Sequence, residues 1–222
     1  MEMYELSFRI AAGCAACALI ACGGGDHGGL RRAPDAAAVR TEDASESDAA
    51  VAEVQRWVGQ VEDTDIRIGA VVDRGERARI FFCGGPSSYE TATRWITVEV
   101  GEDGAYTYEE NGWRVTGRVE REVIRGELTR DGGDSSSFSV EPIAPGTLAG
   151  LYEGQSDCGR LGLIVTHPRP SDDPSAQGAC VGAGHPPEQV NPILPIALVG
   201  DEIGVKIGET EASVREAAPP PR

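Results

Sequence analysis

The chain has 222 residues, with 29 glycines, 6 cysteines and a formal net charge of −16. That length bounds it to one domain of ordinary size or two small ones. An acidic surface of this kind repels nucleic acid and anionic headgroups, so no nucleic-acid partner is expected and the charge argues for solubility alone.

An apolar run from Ile10 to Ala21 ends in Leu19-Ile20-Ala21-Cys22 and is followed by Gly23-Gly24-Gly25. Its 12 residues fall well short of the roughly 20 that a membrane-spanning helix needs. Leucine three positions before the cysteine, a small residue immediately before it and glycines after it resemble the lipobox of bacterial lipoproteins. The resemblance implies a signal peptide over 1–21, acylation of the Cys22 thiol and cleavage on its N-terminal side. It also implies a membrane partner, reached through an N-terminal lipid such as palmitate. Glycine rather than aspartate follows Cys22, which implies an outer-membrane protein of the cell envelope facing the periplasm. Each buried methylene contributes about 0.8 kcal/mol, so two or more acyl chains on one cysteine hold a protein at a membrane without any apolar surface on its folded part. The competing reading is an ordinary secretory signal. Ala16-Cys17-Ala18 has the small-x-small pattern, and cleavage after Ala18 would release a soluble, secreted protein. Arg9 is the only side-chain cation ahead of the run, with Glu2 and Glu5 against it; loss of 1–21 leaves a net charge of −15.

Residues 22–50 are expected to be a disordered linker, glycine-rich and then acidic through Thr41-Glu42-Asp43-Ala44-Ser45-Glu46-Ser47-Asp48, with almost nothing to bury. A helical turn is expected over Ala49 to Val54. The folded part is expected over 51–208, with a possible subdivision near 142–149 where Pro142-Ile143-Ala144-Pro145-Gly146 interrupts the pattern. Residues 209–222, with three prolines at 219–221, are expected to form a loose tail.

Between these ends the hydrophobic period is two. Ile66, Ile68, Ala70 and Val72 alternate with Arg67 and Gly69; Ile96, Val98 and Val100 with Thr97 and Glu99; Ile124, Gly126 and Leu128 with Arg125 and Glu127. The strands expected are Arg56 to Val61, Thr64 to Asp73, Ala78 to Cys83, Arg94 to Val100, Ala105 to Glu110, Trp113 to Val119, Val123 to Thr129, Ser137 to Glu141, Leu151 to Gln155, Leu161 to Thr166, Ala179 to Ala183 and Ile196 to Val199, with Gly204 to Ile207 as a further candidate. Asp73-Arg74-Gly75, Gly101-Glu102-Asp103-Gly104, Asn111-Gly112 and Asp131-Gly132-Gly133-Asp134 supply tight reversals between them. Short connections make neighbours antiparallel. The fold class is therefore all-β, an antiparallel meander forming a barrel or two packed sheets.

Trp57-Val58-Gly59-Gln60-Val61-Glu62-Asp63-Thr64-Asp65, Ala70-Val71-Val72, Ala78-Arg79-Ile80-Phe81-Phe82-Cys83-Gly84-Gly85 and Gly150-Leu151-Tyr152-Glu153-Gly154 resemble a group of uncharacterised β-rich exported proteins from GC-rich bacteria. The resemblance spans roughly a third of the mature chain through short motifs. It implies a fold and no activity.

After loss of the signal and acylation of Cys22, Cys83, Cys158 and Cys180 remain. In an oxidising compartment two of the three are expected to pair. Cys158 and Cys180 flank a polar loop, and a bridge there would close about 20 residues and contribute about 3 kcal/mol. Cys83, at the end of an apolar strand and without a C-x-x-C partner, is expected to be an inert buried thiol.

Enzyme signatures are weak. Gly154-Gln155-Ser156-Asp157-Cys158 lacks the last glycine of a nucleophile elbow, and Ser156, Asp157 and His167 make a triad only if the fold brings them together. His167 and His185 with Asp172 and Asp173 have the ligand types to hold a divalent metal on a loop, and exposed loop residues account for them as well. Asp131 to Asp134 lacks the ligand spacing of a calcium loop. Trp57, Trp95, Trp113, Tyr106, Tyr108 and Phe138 either line a ligand cavity, fill the core or form exposed cross-strand pairs. No catalytic, cofactor-binding or metal residue is assigned. The expected function is a membrane-tethered, non-catalytic binding or interaction module with an unidentified protein or small-molecule partner in the envelope. The alternatives are a periplasmic or secreted hydrolase or inhibitor, and a structural envelope protein.

Overall fold

The computed structural model describes residues 54–73, 76–144 and 146–221. The signal at 1–21, the acylation site Cys22, the linker at 22–50 and the Arg74-Gly75 turn lie outside the described residues. Among the described residues no helix is long and apolar enough to cross a membrane.

The first half is an eight-stranded antiparallel sheet of β1 (Gln55–Val61), β2 (Arg67–Asp73), β3 (Arg77–Cys83), β4 (Arg94–Glu99), β5 (Ala105–Glu110), β6 (Trp113–Val119), β7 (Ile124–Arg130) and β8 (Ser136–Pro142), with one helical turn, α1 (Tyr89–Ala92), between β3 and β4. Each strand pairs with its sequence neighbours except at β4 and β5, and β8 returns to β1. The meander therefore curls into a barrel one ladder short of closure. Arg94 bridges the β4–β5 seam, its guanidinium donating to the Glu110 carbonyl at 3.1 Å and lying 5.0 Å from the Trp113 ring centre.

Turn chemistry sets this register. Asn111 and Gly112 have φ of 49° and 79°, the pair of positive values a two-residue hairpin requires. Inside, Trp57, Ile68, Ile80, Phe82, Tyr106, Trp113, Leu128 and Phe138 are buried as one cluster. Phe82 meets Trp113 and Phe138 edge to face, at 5.6 and 5.8 Å. Gly117 and Gly126 sit opposite each other, and a Cβ on them would lie 2.5 Å from the Tyr106 hydroxyl and the Phe138 ring respectively. Four of the aromatics that a ligand cavity might have used, Trp57, Tyr106, Trp113 and Phe138, thus fill the barrel.

The second half comprises β9 (Gly150–Ser156), β10 (Gly159–Thr166), β11 (Ser175–Val181), β12 (Glu188–Pro192), β13 (Leu198–Val199), β14 (Glu202–Ile207) and β15 (Thr210–Glu216). β15 pairs with β9 and β12 with β14, which closes a six-stranded barrel; β13 is a flap on the first residues of β14. Tyr152, Leu161, Leu163, Val165, Val190, Ile203, Val205 and Val214 fill its interior. Cys158 and Cys180 are disulfide-bonded, with Cα atoms 6.1 Å apart.

The chain after 209 is not a loose tail. β15 occupies 210–216, with Val214 fully buried. Its pattern is weak in sequence because only one side chain in two faces the core and Ala212 is small. Ala217 then donates its N–H to the Leu151 carbonyl at 2.8 Å and Ala218 to the Glu153 carboxylate at 3.0 Å. β12 is also new relative to the expected strands, β11 begins at Ser175 rather than Ala179, and the Ile196–Val199 strand shortens to Leu198–Val199.

The two barrels pack through β2, β10 and the second half of β3, whose burial shows no alternation because both faces are covered. That is the signature of near-continuous apolar runs. Val71, Phe81, Cys83, Leu151, Ile164 and Ala179 form the shared cluster. Gly162 lets the Phe81 ring lie flat on β10, where a Cβ would be 2.5 Å from it. Phe81 in turn stacks on Trp95 at 4.5 Å, and the Arg160 guanidinium covers the Trp95 ring at 3.7 Å.

Candidate functional site

The groups singled out in sequence for chemistry do not converge. Ser156 ends β9 at the Gly159 hairpin, whereas His167 follows the far end of β10. Eight residues of strand separate the two by roughly 26 Å. The His167 ring is committed locally: Nδ1 accepts from the Leu148 N–H at 2.8 Å, and Nε2 lies 2.9 Å from the Asp172 carbonyl, to which it donates in that tautomer. With both nitrogens bound to backbone, this histidine pins the β8–β9 connection to the loop after β10. A serine–histidine pair is therefore not formed.

His185 lies at the opposite end of the barrel from His167, because β11 runs back to the Cys158–Cys180 end. The pairing of His167, His185, Asp172 and Asp173 that proximity in sequence suggested is split by the length of the barrel. Among the described residues no group of three or more His, Cys, Asp or Glu side chains is placed to hold a metal. The shallow cleft beside the disulfide, about 350 Å³, is lined by Ser156, Asp157, His185, Glu188 and Thr210. Asp131 to Asp134 forms the β7–β8 reversal, with Asp131 at φ 51° and its N–H on the Gly112 carbonyl at 2.7 Å.

Cys83 is free and buried between the barrels. Burial pushes its thiol up to about 12, so the thiolate that redox or nucleophilic chemistry needs is not formed at neutral pH.

One surface remains that packing does not explain. After β12, Ile193 donates its N–H to the Gly204 carbonyl at 2.9 Å. Ile196 turns inward and joins the second-barrel core. Leu198 and Val199 then pair with Ile203 and Glu202 of β14, and Gly200, with φ of 70°, reverses the chain. The loop is thus held at both ends and plugged in the middle, while its other aliphatic side chains stay exposed. Ile193 is 38 % exposed, Leu198 44 %, Leu194 76 % and Val199 82 %. These are the large hydrophobic side chains exposed among the described residues, and they lie on one loop. Exposed hydrophobes gathered on one short segment are candidates for a contact site, whereas scattered single ones are not.

The loop lies at the His167 end of the second barrel, since Pro192 pairs with Val205 while Ile207 and Thr210 turn at the disulfide end. Sequence reading missed it by assigning Ile196 to Val199 to a strand. The available signal was Pro195 inside an uncharged run, since proline cannot donate to a central ladder and takes such a run off the sheet.

No protein-family model matches the chain. No curated protein and no solved structure matches it either.

Proposed function

We propose that this chain is a lipid-anchored, non-catalytic interaction module of the cell envelope, held at the membrane through Cys22. The observation that carries the interaction reading is the aliphatic loop 193–199, exposed on a molecule whose two barrels are filled by their own side chains. A ligand-binding barrel would offer an enclosed apolar cavity with converging polar groups; here the interior positions are taken by Trp57, Phe82, Trp113 and Tyr152. The hydrolase alternative needs Ser156 and His167 together, and the length of β10 keeps them apart. The anchoring half of the proposal rests on Leu19-Ile20-Ala21-Cys22 and the glycines after it.

Metabolic labelling with radioactive palmitate, comparing the native chain with Cys22→Ser and fractionating the envelope, tests the anchor. Label that travels with membranes and disappears in Cys22→Ser is the expected result. Unlabelled protein in the soluble fraction, with Leu19 as its first residue, would overturn it in favour of a secreted protein.

A further inference from the structure

We infer that the outer face of β2 and β3 is a recognition site for extended proline-rich peptides, which the chain's own segment 218–221 occupies in cis. The inference goes beyond the proposed function and depends neither on acylation of Cys22 nor on the 193–199 loop.

Local chemistry fixes the shape of the occupant. Ala218, Pro219 and Pro220 each precede a proline, which keeps them out of the helical region, and each ring holds φ at about −65°. Together these limits leave the polyproline II conformation, which has no internal hydrogen bonds and presents its carbonyls to whatever lies beside it. The sheet answers with donors. β15 ends its pairing with β9 at Glu216, and Ala217, fully buried in the cluster between the barrels, makes the last main-chain bond, to the Leu151 carbonyl. From Ala218 onward side chains hold the segment. The Ala218 N–H donates to the Glu153 carboxylate at 3.0 Å, its carbonyl accepts from the Arg79 guanidinium at 2.9 Å, and the Pro221 carbonyl accepts from Arg77. Two spacings make these contacts compatible. Arg77 and Arg79 share one face of β3, and Ala218 and Pro221 are one three-residue polyproline turn apart, so their carbonyls point the same way. Pro220, between them, is buried.

The face reads main-chain carbonyls at a three-residue spacing and one buried ring, so the ligand it defines is an extended x-Pro-Pro-Pro segment, the polyproline mode of peptide recognition. The present occupant leaves donors unused. With it in place, Arg79 Nε and the indole N–H of Trp95, which pairs with Phe81 on β3, are buried without an acceptor. A buried donor without a partner costs free energy that a ligand with a further acceptor recovers. The cis segment is also short, with four residues past the last main-chain bond. A peptide in trans competes with it at an effective concentration on the order of millimolar. The chain itself therefore keeps this face covered until the segment is displaced or removed.

The test compares the chain from residue 23 with the same chain ending at Ala217, which keeps the buried alanine and its bond to Leu151. The probe is the peptide of residues 218–222, Ala-Pro-Pro-Pro-Arg. In protein labelled with nitrogen-15, the Nε–H signals of Arg77 and Arg79 and the indole signal of Trp95 are followed by NMR during titration. The expected result is a saturable shift of the two arginine signals in the shortened chain toward their positions in the intact one, with a midpoint at least tenfold higher in the intact chain. Pro219→Gly, Pro220→Gly and Pro221→Gly together in the intact chain should lower that midpoint, because a loosened segment competes less well. The peptide Ala-Gly-Gly-Gly-Arg should bind at least tenfold more weakly than the proline peptide. A folded shortened chain whose arginine signals the proline peptide leaves in place would overturn the inference, as would equal midpoints in the shortened and intact chains or equal binding of the glycine peptide. Should the shortened chain not fold, the triple glycine variant decides, and arginine signals there that the peptide does not move overturn the inference equally. A positive titration with failed palmitate labelling removes the Cys22 anchor and leaves the peptide site standing.

Discussion

Asp65, expected inside the second strand, lies instead in the loop before β2 and has a structural task there. Its carboxylate accepts from the Ser87 N–H at 2.7 Å and the Ser87 hydroxyl at 2.6 Å, and from the Ser88 hydroxyl, tying the β1–β2 loop to the turn ahead of α1. The Ser87 and Ser88 hydroxyls hold its pKa at about 2, below the ordinary 3.8. A depressed folded-state value contributes stability that is fully present above the unfolded pKa and is lost as pH falls through the folded one, so the window lies between about pH 4 and pH 2. Asp65→Asn should cost about 1 kcal/mol at neutral pH, discounted for the exposure of the group. The difference from the native chain in urea unfolding should shrink across that window; an unchanged difference at pH 2 would contradict the assignment. Tyr106 is the opposite case. Its hydroxyl is buried in the first barrel without a partner, and burial raises its pKa. Tyr106→Phe should be neutral or stabilise by up to about 1 kcal/mol in denaturant unfolding, whereas a loss above that would reveal a partner for the hydroxyl.

Among elements, β10 is the most informative. Leu161, Leu163 and Val165 point into the second barrel, and Gly162 and Ile164 face the first. Gly162→Val should destabilise by about 1–3 kcal/mol, because the new side chain drives the Phe81 ring off β10 and away from its stack on Trp95. Phe81→Leu in the same chain should recover part of that loss, read as the denaturation midpoint; no recovery would place the strain elsewhere. The alternating strands β4 to β8 were legible because one face is core and the other solvent, so period two survives in the residues themselves. β12 and β15 were not, because β12 carries Pro192 and β15 alternates small or polar residues around Val214 alone. Their strand state comes from neighbours that supply ladder partners, and propensity is weak against that context.

For the whole molecule, Glu153 decides how the parts are held. Its carboxylate on β9 accepts from Arg79 of β3 at 2.9 and 3.1 Å, from Arg160 of β10 and from the Ala218 N–H at 3.0 Å, joining both barrels and the C-terminal segment. Arg79 and Glu153 are largely buried, so removing the carboxylate leaves two guanidinium groups facing each other. Glu153→Gln should cost about 2–3 kcal/mol once partial exposure is allowed for. Denaturant unfolding is expected to broaden or split as the barrels uncouple, and a sharp transition at the native midpoint would show that the apolar interface suffices.

The sequence by itself determined the all-β class, the hairpin turns, most strands through Thr166 and the Cys158–Cys180 pair, because period two, positive-φ residues and loop closure are local properties. It also carries the lipobox-like residues on which the anchor proposal depends. Only the tertiary structure decided that the strands curl into one nearly closed and one closed barrel, that Ser156 and His167 stand at opposite ends of β10, that Glu153 is shared by three segments, and that Leu194 and Val199 are exposed while Ile196 is buried. Those outcomes depend on which strands meet across long sequence separations. An apolar residue has the same pattern whether its partner is the core or something beyond the chain.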